Sequence, residues 1–448
     1  MEEDMTLFQL VSENLNQKKF SKLREIMASE NPADLALLFT EFEEKNVLLL
    51  YRLLPKELAS DTFSYMDSDM QENLINGFSD KELREVLDQT FIDDTVDMIE
   101  EMPANVVSRI LRNCDAQSRN TINQILKYPE DSAGTLMTIE YVNLNQKLTV
   151  KEAISRIRKI GPNKETIYTC YVTEARKLIG IVSVKDLLIA QDDTLISDIM
   201  ETNLIYVDTL EDKEVVAHQF QKYDVLALPV VDTEKRLVGI ITFDDAMDVI
   251  QEENTEDISI MAAMTPSDDS YFKTGVFAQV KNRIFWLIIL MLSNAITGSI
   301  ISSYDKVIST LPILVSFMPM LTGTGGNCGS QSSALMIRGL ALGEIHVKDF
   351  LRVMWKEFRI ALVVSAILAV INGARVLIFY HDPTLAIVLT LSIIATVVLS
   401  KLIGCLLPIA AKAIHMDPAV MAGPLISTVV DICTTMLYYS IAVQFFQV

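Results

Sequence analysis

The sequence predicts a multidomain chain in four parts: an all-α superhelical amino-terminal domain, a duplicated α/β unit, a connecting helix, and a polytopic α-helical membrane bundle of five spans. Three observations lead there. Half of the 448 residues are hydrophobic although the formal net charge is −21, and the two properties separate along the chain: residues 1–270 carry 52 acids and 26 bases, residues 271–448 carry 7 acids and 12 bases. One strand-and-helix pattern recurs 59 residues further on. The last third holds five apolar stretches, each of the roughly 20 residues that cross a bilayer core as a helix.

The first part, residues 1–127, reads as short amphipathic helices. Leucines recur at helical spacing between about residues 31 and 113, and Pro32, Pro55 and Pro103 stand where helices begin. In Asn31-Pro32-Ala33-Asp34 the asparagine is a natural cap. Helix pairs of this kind stack into a small solenoid, and no catalytic constellation is seen in it. Met1 to Asp4 is acidic and lacks the basic, then apolar, pattern of a signal peptide, so a cytosolic location is expected for this half.

Residues 128–250 alternate short β-branched strands with helices, in copies at about 132–195 and 196–250. The segment beginning Lys177-Leu-Ile-Gly180 realigns with Arg236-Leu-Val-Gly239; each copy ends in a hydroxyl cap, Ser183 or Thr242, with Asp186 or Asp245 three residues on. This repeat resembles a tandem pair of CBS domains, regulatory modules that bind adenine nucleotides or metal ions. Residues 251–282 form a connecting helix and linker, with a break at Thr265-Pro266-Ser267.

The predicted spans are about residues 284–301, 311–337, 360–379, 385–408 and 424–446, within a membrane domain of residues 283–448. Lys273, Lys281 and Arg283 precede the first span, and Arg338, Lys348, Arg352, Lys356 and Arg359 separate the second from the third. Clustered bases mark the inner side, which puts the amino terminus in the cytosol. An odd span count disfavours an inverted repeat within one chain, which favours a symmetric dimer with its pathway at or near the two-fold axis.

Asp431 lies deep in the last span, where an aspartate costs roughly 2.5 to 3.5 kcal/mol on the insertion scale and so needs water, an ion or a partner. Gly423, Ser427, Asp431, Thr434 and Thr435 fall on one helical stripe. Arg375 and Lys401 are assigned toward span ends, where they can snorkel, which leaves Asp431 without a nearby base. The second span carries Gly323, Gly325, Gly326 and Gly329, together with Asn327 and Gln331 four apart on one face. Amide and carbonyl oxygens are hard ligands suited to Mg²⁺, Ca²⁺ or hydrated ions. On the residues alone, a cation pathway and a proton relay both remain open.

Residues 319–338, Tyr128-Pro-Glu-Asp-Ser-Ala-Gly-Thr-Leu-Met137, Asn31-Pro-Ala-Asp34 and the stretch from Asp417-Pro-Ala to Asp431 together resemble MgtE-type magnesium channels, over nearly the whole chain and in the same domain order. The resemblance implies a homodimer with five membrane helices and a plug helix. It makes Asp431 the pore carboxylate for hydrated Mg²⁺, Asn327 its polar companion, and Asp417 a site nearer the inner mouth, although Asp417 also reads as a helix cap. It assigns Asp224, Asp245 and Asp248 of the second copy, and Glu253, Glu256 and Asp257 of the plug helix, to regulatory Mg²⁺ that closes the pore; an acidic run of this kind is also an ordinary solvated helix face. Asp186 and Asp245 sit where CBS domains contact a ribose, making ATP a candidate ligand, but Lys185 and Val225 supply neither ring stacking nor a phosphate clamp. Asp245 thus has two competing assignments. The competing functions are proton-coupled divalent-cation transport and a non-transporting membrane sensor of Mg²⁺ or nucleotide. No nucleophile elbow, P-loop or metal-hydrolase motif is present, and the five cysteines and four histidines are scattered, so no enzyme is expected.

Overall fold

A computed structural model describes residues 6–267, 271 and 274–446. Met1 to Asp4 and Lys273, used above for location and topology, lie outside the described residues, as do seven further positions of the sequence. The chain divides by contact into Met1–Ile250 and Gln251–Val448.

Ten short helices, α1 (Leu7–Asn16) to α10 (Ala116–Ile125), open the first unit. Asn31 caps α3 (Pro32–Phe39) by accepting from the Ala33 N–H at 2.9 Å, and Pro55 and Pro103 are the residues just before α5 (Lys56–Ser64) and α9 (Ala104–Asn113). Each helix packs on the one two places further along: α3 on α5, α5 on α7 (Asp80–Leu87) and α7 on α9 on one side, α4 (Glu44–Tyr51) on α6 (Ser68–Gly77), α6 on α8 (Ile92–Glu101) and α8 on α10 on the other. That alternation makes a solenoid, because each short helix buries its one apolar stripe between two neighbours.

The short helix α11 (Ala133–Leu136) leads into two three-stranded sheets of the same design. In the first, β1 (Val142–Leu144) runs parallel to β2 (Thr169–Glu174), which pairs antiparallel with β3 (Lys177–Ser183); α12 (Val150–Ile160) makes the crossover. In the second, β4 (Val207–Asp208), β5 (Ala227–Val231) and β6 (Leu237–Thr242) repeat the order around α15 (Lys213–Tyr223). The register irregularities also coincide, at Val172/Thr173 and Val230/Val231, and Gly180 and Gly239 hold the same place opposite Val172 and Val230. Ser183 Oγ accepts from the Asp186 N–H at 3.0 Å to open α13 (Val184–Ile189), and α14 (Ile196–Ile199) closes the first copy. The tandem repeat read from the sequence is therefore structural.

α16 (Phe243–Met261) grows directly out of β6. The connecting helix expected to begin near residue 251 is the continuation of the last CBS helix, because no glycine or proline interrupts residues 243–261.

The second unit contains α17 (Val276–Ser303), α18 (Asp305–Thr310), α19 (Met318–Ala341), α20 (Phe350–Tyr380), α21 (Pro383–Ala413) and α22 (Gly423–Phe446). Among the described residues four helices, not five, are long and apolar enough to cross a membrane: Val276–Ser303, Val347–Tyr380, Pro383–Ala413 and Gly423–Phe446. The span expected at 311–337 is divided. Residues Pro312–Phe317 form a 3₁₀ turn, and α19 begins at Met318 with Pro319 in its first turn. The glycines and polar side chains of α19 keep it less apolar than its neighbours. α21 is the spine of the unit, packing on α19, α20 and α22. It continues to Ala413, past the expected end at Pro408, because Pro408 is buried among neighbours that hold the helix together despite the lost N–H. All five cysteines are free thiols, four of them buried.

Candidate functional site

The α19 glycines are sites of close approach. A Cβ on Gly325 would lie 2.8 Å from Val430, one on Gly326 3.2 Å from Ser427 Oγ, and one on Gly329 2.7 Å from Ile426, so this face of α19 lies directly on α22. Gly404 of α21 approaches closer still: its Cβ would fall 2.3 Å from the Gly329 carbonyl oxygen. With its glycine face consumed by packing, α19 turns Gly323, Asn327 and Gln331, spaced by four, outward from the helix bundle.

On α22, Ser427 and Asp431 are partly exposed one turn apart, and Gly423 continues the line. Thr434 and Thr435 do not: both are fully buried, so the stripe expected from spacing divides after Asp431. The Oγ1 atoms of Thr396, Thr434 and Thr435 and Oγ of Ser400 are buried without a hydrogen-bond partner. Among the described residues no base pairs with Asp431, and no hydrogen bond joins it to Asn327. The packing brings their helices together and leaves both polar groups outside the core.

Lys401 departs from expectation. It is buried, lies 12 residues before the end of α21, and contacts Glu357 Oε2 at 3.7 Å. Its ammonium is held inside the bundle between Ser332 and Glu357 and does not snorkel outward. Glu357, expected in the loop before the third span, is two turns inside α20 and 4% exposed.

Asp417 is exposed, and its Oδ1 accepts from the Ala419 N–H at 2.8 Å, capping the 3₁₀ turn Pro418–Met421. Its cap reading holds, on this turn rather than on α22. Ala419 and Ala422 pack with Ile337, Ile260 and Met261, so the end of α16 rests on the turn that Asp417 opens. Glu253, Glu256 and Asp257 lie on the α16 turns just before that contact.

In the first unit Asp224 is exposed, with left-handed backbone (φ 51°, ψ 43°) after α15. Asp245 Oδ2 accepts from the Thr242 N–H at 3.1 Å and from its hydroxyl. Asp248 is exposed, as is Asp186. Among the described residues no three His, Cys, Asp or Glu side chains converge closely enough to hold a metal.

Sequence reading missed a carboxylate group around Asp245. Asp93 is 7% exposed, with Oδ1 unpartnered, and feels Asp245, Asp94 and Glu165; burial and these like charges push its carboxyl well above the ordinary range. Glu165, also with an unpartnered oxygen, is pushed up to about 8 by burial and by Asp94, Asp245 and Asp244. Asp245 is pushed up to about 6, chiefly by burial, with Thr242 opposing. Asp93 and Asp94 sit in the first turn of α8, where acids are ordinarily dipole-stabilising residues, so nothing local marked them.

Residues 318–441 match the MgtE divalent cation transporter family, residues 30–131 the MgtE intracellular N domain, and residues 133–193 and 196–252 CBS domains. The magnesium transporter MgtE of Thermus thermophilus is 34% identical over 439 residues, covering 96% of this chain and 97% of the relative. That of Bacillus subtilis is 31% identical over 432 residues, covering 96% and 95%. A crystal structure of the cytosolic domain of the Mg²⁺ channel MgtE in complex with ATP superposes with TM-score 0.52 at 35% identity, covering 54% of this chain and all of that one. Matched from its helical solenoid through its CBS pair to its carboxyl-terminal helices, the chain belongs to the MgtE family of magnesium transporters.

Proposed function

We propose that this protein is a Mg²⁺ channel of the cell membrane, a homodimer with its amino terminus in the cytosol, closed by cytosolic Mg²⁺. One observation carries the reading: Asp431 stands partly exposed on an apolar helix with no base beside it, and the outward face of α19 presents Asn327 and Gln331. Burying an uncompensated carboxylate in hydrocarbon is costly, and a hydrated divalent ion compensates it. Mg²⁺ gives up its waters reluctantly, so Asp431 carboxylates of two copies can select it by accepting from its water shell. Asn327 and Gln331 serve the same shell. α19 crosses the membrane as the fifth span, its polar side chains turned to the pathway instead of lipid.

Asp417 opens the inner mouth, and α16 is the plug. Its acids Glu253, Glu256 and Asp257, with Asp224, Asp245 and Asp248, take up regulatory Mg²⁺; without it like charges repel and the pore stays open. ATP is a candidate ligand of the CBS pair, with Asp186 toward the ribose. The working divisions are 1–127, 128–250, 251–282 and 283–448.

The test is Mg²⁺ flux into proteoliposomes. Asp431→Ala is expected to abolish it while the protein stays monodisperse; undiminished flux defeats the pore assignment. A truncation lacking residues before about 271 is expected to conduct without closure by Mg²⁺.

A further inference from the structure

Among the described residues of the second unit, Lys401 and Glu357 form a buried charged pair that the pore reading above leaves without a role. Lys401 Nζ donates to Ser332 Oγ at 3.1 Å, Ser332 Oγ donates to Glu357 Oε2 at 3.0 Å, and Nζ lies 3.7 Å from that same oxygen. Each residue comes from a different helix, α21, α19 and α20. The lysine and glutamate side chains are 7% and 6% exposed, and Ser332 is fully buried. Two charges taken out of water in a membrane helix bundle give little net stability over an apolar pair, while loss of either leaves the other uncompensated. What such a pair adds over leucines is direction: one hydroxyl must sit between two fixed charges.

That hydroxyl is on the pathway helix. Ser332 follows Gln331 directly, and Gly329, three residues earlier, is where Gly404 meets α19 backbone to backbone; Gly404 is three residues beyond Lys401. The polar clasp and the glycine contact are thus successive turns of one α19–α21 seam. The seam sets both the height and the rotation of α19. One residue of slip would turn the helix by about 100° and carry Asn327 and Gln331 off the outward face.

We propose that Glu357 and Lys401, through Ser332, are positioning residues that hold α19 in the rotation at which Asn327 and Gln331 face the ion. This rests on the pore reading above. They touch no ion themselves, so their loss should degrade discrimination between ions rather than only the amount of folded protein.

The experiment is Mg²⁺ and Ca²⁺ flux through the full-length protein in proteoliposomes, normalised to monodisperse protein. Ser332→Ala removes the link without stranding a charge. The double variant Glu357→Gln/Lys401→Met removes both charges together, which guards against misfolding of the single variants. Each is expected to lower the Mg²⁺ to Ca²⁺ flux ratio by about ten- to a hundredfold, the upper value being the scale of a 1 Å misplacement of an interacting group. The charge swap Glu357→Lys/Lys401→Glu keeps the clasp and is expected to recover most of the ratio. Wild-type ratios in both Ser332→Ala and the double variant overturn the proposal. Asp431→Ala, run alongside, separates the two readings: flux surviving there defeats the pore assignment, whereas an inactive Asp431→Ala beside an unaltered double variant defeats the clasp alone.

Discussion

Gly404→Ala isolates the packing of α21 on α19. The new methyl would lie 2.3 Å from the Gly329 carbonyl oxygen and 3.1 Å from its Cα, while ordinary contact begins at 3.4 Å. The helices must therefore part by about 1 Å, since neither side of the clash is a rotamer that can swing away. Overpacking of this kind costs about 1–3 kcal/mol, and backbone against backbone belongs at the upper end. Gly323→Ala is the matched control. Nothing lies within 4 Å of its Cβ position, so the same chemical change there should stabilise α19 by up to about 1 kcal/mol through helix propensity. Thermal melts of the two variants in detergent should move in opposite directions from wild type, with Mg²⁺ flux reduced in Gly404→Ala. A Gly404→Ala protein that melts with wild type and conducts normally would refute the close approach of α19 and α21.

Burial raises Asp93, Glu165 (to about 8) and Asp245 (to about 6), so the folded state binds more protons than the unfolded one above the ordinary carboxylate range. The stability that protonation gives is complete in acid and is lost as pH rises through 6 toward 8. The melting midpoint should therefore fall between about pH 5.5 and about pH 8.5, and a midpoint unchanged across that range would refute the raised carboxyls. Asn31→Ala removes the α3 cap and should cost about 1 kcal/mol in denaturant unfolding without altering flux through open channels. Asp417→Ala should weaken closure by Mg²⁺ more than conduction, measured as the Mg²⁺ concentration that half-closes the channel, because its turn carries the end of α16.

What the sequence determined by itself was whatever is encoded locally or by repetition. Asn31 before Pro32 announces a cap, Gly180 and Gly239 announce equivalent strands, and the change in charge balance at residue 270 separates two solvents. Asp431 was legible for the same reason: a carboxylate in an apolar run is costly wherever its helix points. Only the tertiary structure decided which polar groups meet. Spacing alone put Thr434 and Thr435 with Asp431, but a helical stripe is wide enough to straddle an interface, and packing on neighbouring helices turned those two inward. Lys401 looked free to snorkel until α20 supplied Glu357 and α19 supplied Ser332, residues 44 and 69 positions away. Asp93 carried no mark of its own in the sequence, and only the fold sets it near Asp245 and Glu165 in the same unit. Burial and partnership are properties of helices and loops brought together from distant parts of the chain, and one chain read in order does not contain them.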